Sequence, residues 1–221
     1  IYEAAYKKGN LDGFLYQQFP DGSELKQYFK DNHAHGLYQL FYPPQPVFGK
    51  VKAKEANYIH GKIDGEVAEF NEAGTKTLSV LFVDGKKEGL TTVYSSTGST
   101  LMTIEFHDGK QDGKVIQYFP NGALFKESFF KNDLQEGDEV TYFDNGLKAG
   151  CNSYKNGKLH GKCVQWNAKG TPLFEADYVN GLRHGKFNKY YDDGKPKLIQ
   201  EFDHDVLVSK KSYEPESLKN K

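Results

Sequence analysis

The sequence predicts an all-β fold: a tandem β-hairpin repeat array of about eight 24-residue repeats, forming an elongated, twisted, single-layer antiparallel sheet. Three observations predict this fold. Glycines recur at a fixed spacing, aromatic residues recur in phase with them, and Asn-Gly and Asp-Gly dipeptides separate short β-prone segments. Such dipeptides are typical of tight hairpin turns, because both of their residues adopt positive φ readily.

The glycines establish the period of the repeat. One glycine, which we call the main glycine, recurs at intervals of 23 and 29 residues and then of 24 residues five times. Four residues before it stands Gly, Asn or Asp, the residues that best tolerate a left-handed backbone, so a turn is predicted there. The main glycines are interpreted as structural turn residues: Gly13, Gly36, Gly65, Gly89, Gly113, Gly137, Gly161 and Gly185.

A third glycine, nine residues after the main one in most repeats, is predicted to close the other end of each hairpin. Two turns in 24 residues leave two strands of about 5–8 residues, and strands in register would advance about 10 Å per repeat. The array is expected to occupy residues 1–210, with an irregular insertion at 42–49 and a polar C-terminal tail or cap at 211–221.

An aromatic residue lies five residues after the main glycine in every repeat from the second onward. Aromatic side chains are frequent anchors of protein interfaces, so one ring per repeat is a candidate partner contact. The same rings also have a structural interpretation, as a stacked core that joins repeat to repeat. The candidate contacts in the regular repeats are Tyr94, Tyr118, Tyr142, Trp166 and Tyr190.

The insertion at 42–49 is rich in proline and replaces the usual turn of the second repeat. Proline cannot donate a hydrogen bond to a sheet, so this segment must bulge outward or cap an edge. It is interpreted either as a tolerated loop or as a contact loop in which Tyr42 and Phe48 are further candidate contacts.

The composition excludes several classes of function. A hydrophobic fraction of 37% with 14% aromatic residues indicates a thin, folded structure rather than a disordered chain. The formal net charge is −1, so nucleic acid is not an expected partner. The sequence has no Gly-rich phosphate loop and no nucleophile motif, so we expect no enzyme activity, no catalytic residues and no cofactor.

The histidines are candidate metal ligands, and the two cysteines are candidates for a disulfide. His35, His160 and His184 each precede a main glycine, and equivalent residues of successive repeats would lie about 10 Å apart, so no metal site is expected. Cys151 and Cys163 lie symmetrically about Gly157, and one residue of register decides whether they face each other. A disulfide and two unlinked thiols are both open; a disulfide would indicate an oxidising compartment.

The pattern Tyr-x-Asn-Gly-x-x-x-Gly-x-x-x-x-Tyr-x-x-x-Gly resembles the MORN repeat. The 24-residue spacing and the Tyr-Phe-x-Asn-Gly runs that begin at Tyr118 and Tyr142 look like its bacterial variant. The resemblance covers about residues 2–209 and implies scaffolding, protein binding and, in eukaryotic relatives, membrane association. Many bacterial chains of this kind are catalogued as candidate antitoxins. No catalytic residues accompany the repeat.

The expected function is that of a non-catalytic protein-binding or scaffold module with an aromatic-lined β surface, whose partner is another protein. The alternatives are an antitoxin-like neutralising partner of a toxin and an envelope module that binds lipid or glycan. An edge-to-edge homodimer is open, because the terminal strands of a sheet offer free edges. Export to the periplasm or cell envelope is favoured over the cytoplasm, since the sequence begins at Ile1 rather than Met and a leader could have preceded it.

Overall fold

The computed structural model describes residues 1–214 of the chain, which are all-β and contain 21 strands. They fall into two compact units, residues 1–110 and residues from 111 onward. The strands that begin in the first unit are β1 Tyr2–Lys7, β2 Asn10–Gln18, β3 Glu24–Lys30, β4 His33–Phe41, β5 Lys52–Ile59, β6 Lys62–Ile63, β7 Gly65–Phe70, β8 Lys76–Val83, β9 Lys86–Lys87, β10 Gly89–Tyr94, β11 Thr100–His107 and β12 Lys110–Tyr118. The strands of the second unit, into which β12 continues, are β13 Leu124–Lys131, β14 Leu134–Gln135, β15 Gly137–Tyr142, β16 Lys148–Lys155, β17 Lys158–Trp166, β18 Pro172–Val179, β19 Leu182–Tyr190, β20 Pro196–Asp203 and β21 Val206–Ser212.

Within each unit the strands pair in antiparallel fashion with their neighbours in sequence. The two-residue strands β6, β9 and β14 continue after one residue into β7, β10 and β15, so each repeat contributes one hairpin. The all-β hairpin array that the sequence predicted is therefore confirmed. In the described part of the chain there is no helix that could cross a membrane.

The two-residue turn that connects the strands of each hairpin has positive φ at both residues, as in a type I′ turn. In the seventh repeat these residues are Asn156, with a φ of 49°, and Gly157, with a φ of 74°. In the sixth repeat Asp133 replaces the glycine and keeps a positive φ of 67°. The predicted left-handed backbone is thus present. A type I′ turn suits a hairpin because its twist matches that of the two strands.

From the second turn onward, each of these turns also bonds to the preceding repeat. The Gly157 amide donates to the Gln135 carbonyl at 2.9 Å, and the Asp133 amide donates to the Gln111 carbonyl at 2.9 Å. At Asp133 the bond is reciprocated, because its side-chain Oδ1 accepts from the Gln111 amide at 2.8 Å. Asn32 and Asp205 make the same return bond, so the residues that replace glycine here add a contact that glycine cannot make.

The main glycines do not lie in these turns, which corrects the sequence-based interpretation. They lie within the second strand of each hairpin, where the register shifts. Cys163 pairs with Asn152 and Leu159 with Tyr154, so several residues around Gly161 face the single residue Ser153. Gly161 has a φ of 105°, and a Cβ there would lie 3.1 Å from the Ser153 Cβ. Such a bulge requires glycine for both its φ and its close approach.

In several repeats the residue before the main glycine accepts a hydrogen bond from the next turn. Glu136 Oε2 accepts from the Asn156 amide at 2.8 Å, and Asp64 Oδ2 accepts from the Asp84 amide at 3.0 Å. His160 Nδ1 lies in the same place, 3.4 Å from the Asn180 amide. We call this residue the turn acceptor. The sequence suggested this position only as a possible metal ligand, and the bond between repeats was not predicted.

Many of the buried residues are small or medium in size, although Phe106 and Phe202 are also buried. Val67 faces Val80 in the first unit, and Cys163 faces Ala176 in the second, each pair directly opposite across a hairpin. In the described residues no large side chain is fully buried. Polar residues share this row: Glu139 pairs with Lys126 at 2.6 Å. A thin sheet of this kind depends on contacts between adjacent strands rather than on a deep core.

The insertion of the second repeat folds back on itself. Gln45 and Gly49 exchange two backbone hydrogen bonds, of 3.0 and 2.8 Å, and leave residues 46–48 at the tip. At the C-terminal end β21 runs to Ser212, so the first residues of the expected tail are part of a strand. Residues 215–221 of that tail lie outside the described residues.

We expect Glu136→Ala to lower the free energy of unfolding by about 0.5–1.5 kcal/mol, the usual net value of one hydrogen bond. Glu136→Gln should lose less, because its carbonyl oxygen can still accept from the Asn156 amide. Urea denaturation of both variants measures the difference. Equal stability of Glu136→Ala and the wild-type chain would contradict the role of the turn acceptor.

The turn acceptor Glu88 should contribute to the dependence of stability on pH. The hydrogen bond from the Asp108 amide, together with His107, holds the pKa of Glu88 below its usual value. A lowered pKa in the folded state stabilises the fold above the unfolded pKa of about 4.3, and this contribution is lost as the pH falls through the folded pKa. Denaturant melts from pH 6 to about 2 should therefore show a weaker acid destabilisation for Glu88→Gln than for the wild-type chain. Parallel pH profiles would argue against this contribution.

Candidate functional site

The candidate contact rings of the regular repeats are half-buried rather than fully displayed. Tyr94, Tyr118, Tyr142, Trp166 and Tyr190 all share this intermediate exposure. The Tyr190 hydroxyl donates to Glu175 Oε2 at 2.8 Å, and the Tyr142 hydroxyl donates to Glu127 Oε2 at 3.2 Å. Burial and then the Glu127 hydrogen bond raise the pKa of Tyr142. These rings therefore have one side in the sheet and one side toward solvent.

The two candidate contacts of the insertion differ from each other. Tyr42 is half-buried, and its hydroxyl donates to the Phe70 carbonyl of the next repeat at 2.7 Å. Phe48 is 54% exposed and its neighbour Val47 is 82% exposed, both at the tip of the insertion. Tyr42 thus holds the base of the loop against the sheet, whereas Phe48 is available to a partner.

An apolar groove of about 710 Å³ lies in the second unit and contains one of the predicted rings. Its aromatic walls come from Tyr142 and from the residues at and near two neighbouring turns, with Ala149 at its base. The Phe119 and Phe125 rings pack with their centroids 4.9 Å apart and form one wall. The aromatic residues that line the groove are Phe119, Phe125, Tyr142 and Phe143.

The groove has a cause in the sequence. In most repeats the residue that lies three positions after the third glycine has a large side chain. In the repeat whose third glycine is Gly146, this residue is Ala149. The equivalent residues are Leu25, Thr77, Leu101, Phe125, Leu173 and Lys197. A missing large side chain between two aromatic turns leaves a hollow that its neighbours cannot fill. The small residue Ala149 is visible in the sequence, but the groove was not predicted because only the recurring aromatic positions were taken as candidate contacts.

The cysteines do not face each other. Cys163 lies opposite Asn152, and Cys151 lies opposite Val164, so the two side chains leave their strands on opposite faces. Both thiols are free. Burial raises the pKa of Cys163 to about 11 and also raises the pKa of Cys151. Of the two arrangements that the sequence left open, the register corresponds to the unlinked thiols.

One set of metal-binding atoms comes together in the described residues. His184, Asp203 and His204 each offer one ligand atom, and these atoms lie within 4.8 Å of one another. The sequence predicted no metal site because equivalent histidines of successive repeats, such as His160 and His184, would lie about 10 Å apart. His204 instead occupies the turn of the next repeat, 20 residues after His184.

The fold defines a repeat protein built from β-hairpins, and its candidate sites lie where the repeats differ from one another. The family model described as "MORN repeat variant" matches residues 111–132 and 183–204. The two matches lie 72 residues apart, which is three periods of 24, so they share the phase of the repeat. The chain therefore carries MORN-variant repeats, and the predicted family resemblance is confirmed. No curated protein matches the chain.

We expect iodoacetamide to alkylate Cys151 of the native chain faster than Cys163, which is only 4% exposed and has a pKa of about 11. Mass spectrometry after a short reaction at neutral pH should find one modified residue. Cys151→Ser should then be nearly unreactive until the chain is unfolded, whereas Cys163→Ser should react like the wild-type chain. Faster labelling of Cys163 than of Cys151 would contradict the register of β16 and β17.

Proposed function

We propose that this chain is a non-catalytic protein-binding module and that the groove beside Tyr142 receives an apolar side chain of a protein partner. The observation that carries the proposal is the groove itself, which has aromatic walls and a volume of about 710 Å³. Pockets of a few hundred Å³ with apolar lining are the usual sites for an anchor residue. The surrounding repeat supplies a rigid frame for it.

The chemistry of the groove favours an apolar anchor with polar neighbours. Phe119, Phe143 and Tyr142 offer ring faces and edges to an inserted side chain. Asn121 and Asp144 stand at the rim, where they can accept or donate hydrogen bonds to a partner backbone. An interface with an aromatic centre and a polar rim is the arrangement common to specific protein complexes.

A neutralising partner of a toxin is one specific form of this proposal, since such a protein would bind a single target tightly. Lipid or glycan binding is a different class. The formal net charge of −1 offers no general attraction to an anionic membrane. The groove and the charge together favour a protein as the partner.

We expect Ala149→Leu to abolish partner binding without loss of stability. Leucine fills the groove, and the same residue already stands at this position of other repeats as Leu25, Leu101 and Leu173. The full-length wild-type and variant chains would be used as baits for extracts of the source organism. Mass spectrometry should identify a stoichiometric protein that the wild-type chain captures and the variant does not.

The matched control is Lys197→Leu, which introduces the same residue at the same position of another repeat, away from the groove. It should capture the partner like the wild-type chain, and thermal melting should show that all three baits are folded. Equal capture by Ala149→Leu and the wild-type chain would refute the groove as the binding site. Retention on lipid vesicles or a glycan array, with no protein captured, would refute protein binding.

A further inference from the structure

Two histidines of successive repeats meet in the second unit. His184 occupies the turn-acceptor position before Gly185, and His204 is the first residue of the next turn. Their ring centroids are 4.7 Å apart. The contact follows from the fold, because a turn acceptor points at the turn of the following repeat, as Glu136 does toward Asn156.

Asp203 adds a carboxylate to this pair of imidazoles. Its Oδ1 lies 2.6 Å from His204 Nδ1 and 3.2 Å from His184 Nδ1. Ligands bonded to a tetrahedral zinc ion at about 2.0–2.2 Å are separated from each other by about 3.3 Å. The Asp203 side chain is 65% exposed, so its carboxylate has room for the small movement that coordination would require.

The Nδ1 of His184 lacks the hydrogen bond that a turn acceptor receives from the amide of the next turn. In the preceding repeat, His160 Nδ1 accepts from the Asn180 amide. The Nδ1 of His184 is buried and makes no hydrogen bond, although the Asp203 carboxylate lies 3.2 Å away. A buried polar atom in this condition calls for an explanation, and an ion bound by its lone pair is one such explanation.

The nearby charges are compatible with a cation. Arg183, which precedes His184 in the sequence, carries a positive charge near the cluster. Its Nε donates to Asp205 Oδ1 at 2.7 Å. Its guanidinium also lies 4.0 Å from the centre of the Phe202 ring. Asp205 therefore offsets the charge of Arg183, and the Asp203 carboxylate remains available to balance a divalent ion.

We propose that His184, Asp203 and His204 form a binding site for a divalent transition metal ion of the zinc type. Two imidazoles and one carboxylate are ligands that suit zinc, nickel or copper rather than calcium or magnesium. Three protein ligands leave at least one coordination position to water or to a ligand from a partner. The site is exchangeable, since the cluster lies at the surface.

Two similar places in the chain are incomplete: the one at His35 lacks the carboxylate, and the one at His160 lacks both the second histidine and the carboxylate, which is replaced by Val179. His35 and His60 form an equivalent pair in the first unit, with ring centroids 5.3 Å apart, but Ile59 stands where the second unit has Asp203. His160 has Asn180 in place of a second histidine. In the described residues the complete set occurs only at His184, Asp203 and His204.

The test is calorimetric titration of zinc chloride into the full-length chain, without a polyhistidine tag and after removal of metal by a chelator. We expect one ion per chain. His184→Ala and His204→Ala should each weaken the affinity by at least about tenfold, because loss of even an outer-shell partner of a ligand costs about 10–100-fold. Asp203→Asn should also weaken the affinity. The matched control His160→Ala, which removes the equivalent histidine of the preceding repeat, should bind like the wild-type chain.

A second readout needs no variant. Zinc added to the wild-type chain should shift the imidazole NMR resonances of His184 and His204 and leave those of His160 unchanged. The proposal is overturned if the wild-type chain binds no zinc, if both alanine variants of the pair bind like the wild-type chain, or if the shifted resonances belong to other histidines.

Discussion

The hydrogen bond between the turn of one repeat and the backbone of the preceding repeat is the interaction on which the rest of this structure depends. Gly61 donates to the Ala34 carbonyl, and Gly181 donates to the Leu159 carbonyl, each at 2.8 Å. The bond requires a left-handed turn, because only then does the amide of the second turn residue point along the array. It fixes the position of each hairpin on its neighbour through the backbone alone, and it is kept even where the spacing between repeats is 23 or 29 residues.

The regular side chains follow from this constraint. The turn acceptor completes the junction through a second amide of the same turn, so that Asp, Glu and His are interchangeable there, provided that they present an acceptor. Directly opposed strand positions bury small and medium residues such as Val67, Val80 and Ala176. Stability in such an array is a sum of local terms between neighbouring repeats.

The candidate sites lie where the repetition is broken. Ala149 interrupts a series of larger residues and opens the groove beside Tyr142. The insertion in the second repeat displays Phe48. A second histidine in the turn after His184 brings two imidazoles and the Asp203 carboxylate together, which is the proposed metal site. A position that recurs in every repeat serves the junction that every repeat shares, and a departure from it frees a side chain for another task.

The sequence by itself determined the hairpin class, the period, the left-handed turns and the family of the repeat, because glycine, asparagine and aspartate at fixed spacing leave few alternative backbones. The tertiary structure decided everything that depends on one residue of register. The two-residue turn at Asn156-Gly157 pairs Lys155 with Lys158, and beyond the bulge at Gly161 Cys163 lies opposite Asn152 rather than Cys151. The same bulge places Gly161 within a strand rather than in a turn. It also sets which residues of successive repeats meet, so that His184 contacts His204 and not its own equivalent, His160. A local pattern cannot specify these contacts, since a difference of one residue in the length of a turn moves every pair beyond it to the other face of the sheet.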